Sequence, residues 1–239
     1  MATVQQQPAS VIKDDHLPPC LHDMASEISE AIWHRASAHG FKQKRYGSRE
    51  VIYHEGVEVD RICLIRSGMV KLLSYLPNGR TRIVRLHSHH HWLGLEGLVG
   101  QPYEHTAVAI GDVEVVYVPM NNLHLLERDN PRQYCQLLKQ GYKHLAQADR
   151  WIADFSTGGI KSRVARLVDF LAKIEYGESS CRVELLTVHE MADILGVRPE
   201  SVSRILAEFK RNDTLHKLKG DRYDVYEIDS LKLQHEARQ

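Results

Sequence analysis

The sequence predicts an α+β protein with three consecutive parts: an N-terminal double-stranded β-roll, a long dimerisation helix and a C-terminal winged helix-turn-helix. Three patterns lead to this prediction. Glycine-punctuated strand patterns fill the first half of the chain, an apolar seam at heptad spacing follows residue 130, and two short helical patterns separated by one glycine lie near the C-terminus. The expected boundaries are 1–24 for a flexible tail, 25–128 for the roll, 129–156 for the helix and 157–239 for the C-terminal domain.

Composition indicates a globular protein without an overall charge. The chain has 239 residues, of which 43% are hydrophobic and 26% charged, and its net charge is zero. This length is sufficient for two domains that each bury a core. The chain has no signal-peptide pattern and no apolar run that could span a bilayer, so we expect a cytoplasmic protein with no membrane partner. The cysteines are too far apart to suggest a zinc module or a disulfide framework: Cys20, Cys63, Cys135 and Cys181.

Strand patterns between residues 41 and 118 predict the roll. Runs of β-branched and aromatic residues alternate with glycine-containing turns, among which Asn78-Gly79 is a strong hairpin signal. Evenly spaced short strands of this kind are typical of a small antiparallel barrel or roll. We expect further turns at Ser67-Gly68 and Gly111-Asp112, and strands at residues 51–53, 62–65, 69–75, 81–86, 106–110 and 113–118.

An apolar seam predicts the long helix after Asn130-Pro131. The intervals between seam residues alternate between four and three, which is heptad spacing. Such a seam needs a partner helix, so we expect a parallel homodimer; the alternative is a helix that lies on its own domain. Residues 156–159 then break the helix and can serve as a hinge. The expected interface residues are Leu138, Gly141, Leu145, Ala148, Ile152 and Phe155.

Residues 186–206 have the pattern of two short helices joined by a tight turn. Thr187 and Glu190 have the spacing of a capping box, which starts the first helix. Gly196 is suited to end it, and Pro199 is suited to the first turn of the second helix. This pattern predicts a helix-turn-helix.

The outer face of the second helix predicts double-stranded DNA as the partner. Glu200, Ser203 and Arg204 project together, and their side chains are of types that contact base edges in a major groove. Residues 198–222 contain seven basic residues against four acidic ones, and the alternation around Gly220-Asp221 predicts a hairpin wing. The alternatives are an ordinary helical hairpin or a winged helix that contacts protein. The expected phosphate contacts are Thr187, His189, Arg198, Lys217 and Lys219.

Short motifs accompany these patterns at Glu55-Gly56, Ile65-Arg-Ser-Gly68, Trp92-Leu-Gly-Leu-Glu-Gly-Leu98 and Asn130-Pro131. Together with the order of the three parts, they resemble the Crp/Fnr superfamily of bacterial transcription regulators. The resemblance implies a cyclic nucleotide-binding-like roll, effector-controlled DNA binding as a homodimer, and RNA polymerase as a further partner. The Glu-x-x-Ser-Arg pattern is similar to that of Fnr, which implies a palindrome of TTGAT-like half-sites. The closely spaced N-terminal cysteines of the Fnr iron–sulfur cluster are absent from the sequence.

The chain departs from the family pattern at the cyclic nucleotide site. The family has Gly-Glu-Leu followed by an arginine-hydroxyl pair, whereas this chain has Gly94-Leu95-Glu96 and His105-Thr106. Arginine is a permanent cation, but histidine is mostly neutral near pH 7. We therefore expect an unknown small-molecule effector other than cyclic AMP. The expected effector-pocket residues are Gly94, Glu96, His105, Thr106 and His144.

Histidines are concentrated between Leu86 and Trp92. In an extended segment His87, His89 and His91 would project together, and neutral imidazole is a common metal ligand. They are the candidates for a divalent metal or haem site, and a haem- or metal-binding sensor is the alternative function. The other interpretation is a solvated polar loop. No catalytic constellation or phosphate-binding loop is apparent, so we do not expect an enzyme.

Overall fold

The computed structural model describes residues 42–177, 180–218 and 225–238; the expected tail lies outside these ranges. A six-stranded antiparallel sheet comes first, then three helices, and then a three-stranded sheet with further helices. No helix in the described ranges is both long and apolar enough to cross a membrane. The strands are β1 (Gln43–Tyr46), β2 (Val51–Tyr53), β3 (Arg61–Tyr75), β4 (Thr81–His87), β5 (Trp92–Leu93), β6 (Thr106–Pro119), β7 (Arg182–Glu184), β8 (Leu215–Lys217) and β9 (Val225–Ile228). The helices are α1 (Met120–Asp129), α2 (Pro131–Ser156), α3 (Ile160–Tyr176), α4 (Val188–Leu195), α5 (Pro199–Arg211) and α6 (Ser230–Arg238), and a 3-10 helix covers Leu95–Val99.

The two longest strands, β3 and β6, pair with each other and form the centre of the roll. The sequence predicts each of them as two strands with a turn between, and this prediction is wrong. Ser67-Gly68 and Gly111-Asp112 are irregularities within continuous strands, and the pairing register shifts on both sides of Ser67. A Cβ atom on Gly68, whose φ is 85°, would collide with the backbone oxygen of Asp112. These glycines therefore permit bulges and close backbone approach instead of chain reversal.

The long helix α2 forms as the sequence predicts. Pro131 occupies its first turn, and the Asn130 side chain accepts a hydrogen bond from the backbone N–H of Gln133 at 3.3 Å. The seam residues Leu138, Leu145 and Ile152 are exposed on this helix. Seven-residue spacing places these three residues in one line. Tyr142, four residues after Leu138 and three before Leu145, lies on the same side of the helix and is also exposed, but the sequence analysis does not include it in the seam.

Phe155 corrects the predicted seam. Its side chain is only 2% exposed and packs edge-on against Trp151 and Phe170, with ring centroids 4.7 and 5.7 Å away. It belongs to the core of the C-terminal domain, because one more turn of α2 brings the helix against α3. Phe155 therefore cannot provide exposed surface for a second chain.

The segment expected as a hinge is held by arginine side chains of α3. Arg166 donates from Nε to the carbonyl of Asp154 at 2.7 Å and from Nη2 to the carbonyl of Thr157. Arg163 donates to the carbonyl of Phe155 at 3.2 Å and to that of Leu195 at 3.2 Å. These bonds satisfy carbonyl groups that the end of a helix leaves without partners.

One apolar core joins the roll to the C-terminal domain. Ile83 and Leu86 of β4 are buried in the same cluster as Met191 and Ile194 of α4. Lys71 and Glu190 form an ion pair beside this cluster, with Nζ 2.7 Å from Oε1 and side chains only 13% and 17% exposed. The β3–β4 hairpin thereby fixes α4 against the roll.

The Lys71–Glu190 pair predicts measurable coupling between the two domains. In a double-mutant cycle of Lys71→Met and Glu190→Gln, we expect a coupling energy of about 1 to 2 kcal/mol in urea unfolding at pH 7, because the pair is largely desolvated. Glutamine at position 190 can still complete the capping box. The control is the half-exposed pair Lys173–Asp169, for which the same cycle should give below about 0.5 kcal/mol. Equal coupling in both cycles would contradict the docking of α4 on the roll.

Candidate nucleic-acid interface

Helix α4 begins with the capping box that the sequence predicts. Thr187 Oγ1 accepts from the backbone N–H of Glu190 at 3.2 Å, and the Thr187 N–H donates to Glu190 Oε2 at 3.1 Å. The Thr187 hydroxyl also donates to Glu190 Oε2 at 2.7 Å. Its proton is therefore engaged within the cap, whereas the neighbouring His189 is exposed.

The turn between the two helices follows the expected geometry. Gly196 ends α4 in the left-handed conformation, with φ of 63°, and a Cβ atom there would collide with the guanidinium of Arg82 from the roll. Arg198 is the N-cap of α5 and makes no side-chain capping bond, and Pro199 follows at the first turn. The exposed Arg198 side chain therefore lies at the start of α5.

Helix α5 has one buried face and one exposed face. Val202, Leu206 and Phe209 are buried in the C-terminal core. On the opposite side, the three predicted base-reading residues are all exposed and lie within the first turns of the helix: Glu200, Ser203 and Arg204.

Contacts from α3, α6 and β9 hold α5 in place. Lys161 Nζ lies 2.9 Å from Glu208 of α5 and 2.7 Å from Glu236 of α6. Lys232 donates to the carbonyl of Asn212 at 3.1 Å, at the C-terminal end of α5. The Lys210 ammonium lies 4.7 Å from the ring centroid of Tyr226. These contacts fix the orientation of α5 within the C-terminal domain.

The described part of the wing also agrees with the prediction. Strand β9 lies between β7 and β8, and Lys217 pairs with Tyr226 at the outer end of β8. Lys217 is exposed. Lys219 and the Gly220-Asp221 turn lie outside the described residues.

Three of the predicted effector-pocket residues make contacts within the roll. Buried Gly94 has φ of 80°, and a Cβ atom there would lie 2.9 Å from the ring of Tyr103. Glu96 accepts from the backbone N–H of Glu104 at 3.4 Å. Thr106 is 1% exposed, and its hydroxyl accepts from the backbone of Glu55 at 3.1 Å. Thr106 therefore holds a neighbouring loop in place.

Three imidazoles meet between the roll and α2. The ring centroid of His87 lies 4.8 Å from that of His144 and 5.4 Å from that of His91, and the His91 and His144 centroids are 6.0 Å apart. His89 does not join them and lies against His90, because His90 has a left-handed φ of 64° that interrupts the expected alternation. The structure therefore brings together His87, His91 and His144, and not the predicted trio of His87, His89 and His91. In the described ranges, no group of three or more His, Cys, Asp or Glu side chains is arranged to hold a metal ion.

Arg85 is a further side chain on the inner face of the roll, and the sequence analysis does not name it. It pairs with Leu72 across the β3–β4 ladder, and His87 pairs with Val70, so both side chains share the roll-interior face with these two core residues. Leu86 pairs with Lys71 on the opposite face, against α4. The alternation of β4 was visible in the sequence, but which face points inward was not.

Comparison with known proteins identifies the two halves of the chain. Residues 43–129 match the cyclic nucleotide-binding domain, and residues 165–233 match the Crp-like helix-turn-helix domain. The chain is a Crp/Fnr superfamily transcriptional regulator. Its relatives are transcriptional regulators and not enzymes, as the sequence analysis expects.

The regulator is similar to several characterised proteins along most of its length. It is 28% identical over 201 residues to the transcriptional regulator LdrP of Thermus thermophilus, and the alignment covers 81% of this chain and 96% of LdrP. It is 27% identical over 197 residues to the CRP-like cAMP-activated global transcriptional regulator of Mycobacterium tuberculosis, covering 78% and 84% of the two chains. The structure of FixK2 from Bradyrhizobium japonicum superposes with a TM-score of 0.72 at 21% identity, covering 82% of this chain and 96% of FixK2.

Burial keeps the imidazole cluster of the regulator uncharged. It lowers the pKa of His144 to about 3, assisted by His91 and by the positive charge of Arg85. The pKa of His91 falls to about 4, mainly through burial and partly through His89, His90 and Lys143, and that of His87 is also lowered by burial. At neutral pH the cluster consists of neutral hydrogen-bonding groups.

The depressed pKa values predict loss of stability in acid. An unfolded chain binds protons at histidine near pH 6.5, and the folded cluster does not bind them until about pH 4 or below, so stability falls as the pH drops below 6.5. We expect each of His91 and His144 to account for about 2 kcal/mol of unfolding free energy lost between pH 7.5 and pH 5.0.

The comparison of His144→Leu with His124→Leu isolates this effect. His124 is exposed on α1 and serves as the matched control. In urea titrations at the two pH values, the His144→Leu protein should lose about 2 kcal/mol less than the wild type, and the His124→Leu protein should lose the same as the wild type. Identical pH dependence in all three proteins would show that His144 is not held neutral.

Proposed function

We propose that this regulator binds, as a homodimer, to palindromic DNA with TTGAT-like half-sites, and that a small molecule other than cyclic AMP controls the binding. The observation that carries the proposal is the set of exposed side chains at the start of α5, Glu200, Ser203 and Arg204, on a helix whose opposite face is buried. The proposed domain limits remain 25–128, 129–156 and 157–239. RNA polymerase is the further partner that the family suggests.

Specific base contacts come from the exposed face of α5. The guanidinium of Arg204 can form two parallel hydrogen bonds with guanine, and the Glu200 carboxylate can accept from cytosine N4. Arg198 at the helix N-terminus, together with His189 and Lys217, supplies contacts to phosphates, which position the helix but do not read sequence. Lys219 belongs to the same proposed set, and the backbone at Thr187 contributes through the start of α4.

The exposed stripe on α2 supports the dimer. Leu138, Tyr142, Leu145 and Ile152 are 42%, 73%, 58% and 61% exposed and lie along one side of the helix, where Gly141 and Ala148 leave room for a partner helix. Large apolar side chains in one line on a surface mark a site of association. A two-fold axis along this stripe would present two α5 helices to half-sites about 34 Å apart.

Control by an effector follows from the position of β4. Arg85 and His87 face the roll interior, and Leu86, between them in sequence, packs in the core that contains α4. A ligand that moves the inner side chains of this strand therefore changes the support on which the helix-turn-helix rests. The neutral His105 in place of the family's arginine supports an effector other than cyclic AMP.

Substitution of Arg204 tests the DNA-reading assignment. We expect Arg204→Ala to reduce the preference for a TTGAT palindrome over a scrambled duplex by about 1 to 3 kcal/mol, because a bidentate base contact is lost. Fluorescence anisotropy at one fixed salt concentration measures both affinities.

Two control variants separate base reading from charge. Arg198→Ala should weaken binding to both duplexes alike, and Arg45→Ala, at an exposed position on β1, should change neither. An Arg204→Ala protein with the wild-type preference would overturn the assignment of α5 as the reading helix.

Substitution of Leu145 tests the dimer. A glutamate in the middle of an apolar interface is buried without a partner, so Leu145→Glu should convert the dimer to a monomer in sedimentation velocity. The control is Leu231→Glu on α6, since Leu231 is 82% exposed and lies outside the stripe; this variant should remain dimeric. Persistence of a dimer in the Leu145→Glu protein would place the interface elsewhere.

A further inference from the structure

We propose that the interior of the roll binds a small oxyanion, a carboxylate or a phosphate, with Arg85 as its principal contact and with His87, His144 and Gln140 around it. The site lies between the inner face of β4 and the first half of α2. This inference rests on the proposed effector control and adds the chemical class of the effector and the residues that contact it.

The first support is the positive charge of Arg85, which has no ion-pair partner within the described residues. Its pairing with Leu72 directs it to the roll interior, and its side chain makes no ion pair and no hydrogen bond with the other described residues. Its positive charge adds to the burial that lowers the pKa values of His105 and His144, and it opposes the burial that raises the pKa of Glu96. A planar guanidinium of this kind matches an oxyanion.

The second support is a pair of buried polar atoms without partners. His87 is 2% exposed and Gln140 is 6% exposed, and neither His87 Nδ1 nor Gln140 Nε2 has a hydrogen-bond partner within the described residues. Gln140 precedes His144 by four residues on α2, so the two side chains lie on one side of the helix, and the His144 ring is 4.8 Å from that of His87. Buried polar groups are normally hydrogen-bonded, so unpaired ones at the face of β4 that carries Arg85 indicate a place for a polar ligand.

The surrounding groups favour an anion over a cation. Arg85 repels a cation, and the neutral imidazoles can donate hydrogen bonds to a negatively charged oxygen. Glu96 also interacts electrostatically with Arg85, but its carboxylate accepts from the Glu104 backbone and forms no ion pair within the described ranges. A metal ion is disfavoured because the described residues offer no suitable ligand group.

Thermal unfolding of the full-length protein without DNA tests the proposal. Sodium phosphate and sodium oxalate, each at 20 mM in separate arms, are compared with sodium chloride of equal ionic strength at pH 7. We expect at least one oxyanion to raise the wild-type Tm by about 2 to 4 °C. If neither raises the Tm above the chloride value, the proposal is wrong.

Variants locate the effect. Arg85→Gln should abolish the shift, and Arg45→Gln, the exposed arginine on β1, should retain it in full. If Arg85→Gln does not fold, Gln140→Leu provides the same test, because it removes one donor without adding charge and should reduce the shift by about half. A full shift in both pocket variants would place the anion elsewhere and overturn the assignment.

The Arg204→Ala protein separates this proposal from the DNA-binding proposal. It lacks the side chain proposed to read bases but keeps the roll unchanged, so it should show the wild-type oxyanion shift. Loss of DNA discrimination with retention of the shift supports both proposals. If the wild-type protein discriminates between the two duplexes but shows no oxyanion shift, the anion-site proposal is wrong and the DNA-binding proposal stands.

Discussion

Strand β4 is buried on both faces, and the relative position of the two domains depends on this constraint. Its inner side chains, Arg85 and His87, lie against the roll interior, while Ile83 and Leu86 complete the core around α4. Although β4 lies at the edge of its sheet, a strand packed on both sides cannot slip by one residue without exchanging its two faces. Since Arg85 and His87 are polar and Ile83 and Leu86 are apolar, the register is strongly fixed. The Lys71–Glu190 pair and the contact of Arg82 with Gly196 reinforce an arrangement that the apolar packing already defines.

Features set by neighbouring residues could be predicted from the sequence. The capping box at Thr187, the left-handed Gly196, the first-turn Pro199 and the start of α2 after Asn130 all depend on contacts within a few residues, and all are present in the structure. The glycines at positions 68 and 111 are local too, but a glycine in a tight turn and a glycine in a bulge have the same conformational requirement. The sequence therefore could not show that β3 and β6 are continuous strands.

The effector side was harder to predict because its residues meet only through the tertiary fold. His144 is among the pocket residues predicted from the sequence, and the structure places it beside His87 and His91. The expected grouping of His89 with His87 and His91 requires an extended segment, which the left-handed His90 interrupts. The sequence alone does not assign Arg85 to either face of β4. Only the pairing with Leu72 shows that it points inward.

The clamp at the end of α2 has a mechanical consequence. Arg163 and Arg166 hold the carbonyls of residues 154, 155 and 157, and Phe155 is anchored among the aromatic rings of the C-terminal domain. Gly158 and Gly159 follow, but these hydrogen bonds connect the last turn of α2 directly to α3. The last turn of the helix and the C-terminal domain therefore move as one body. A change of orientation at the DNA end then requires the whole helix to pivot. If α2 tilts near Gln140, the C-terminal domain is displaced by a distance that grows with the length of helix between Gln140 and Ser156.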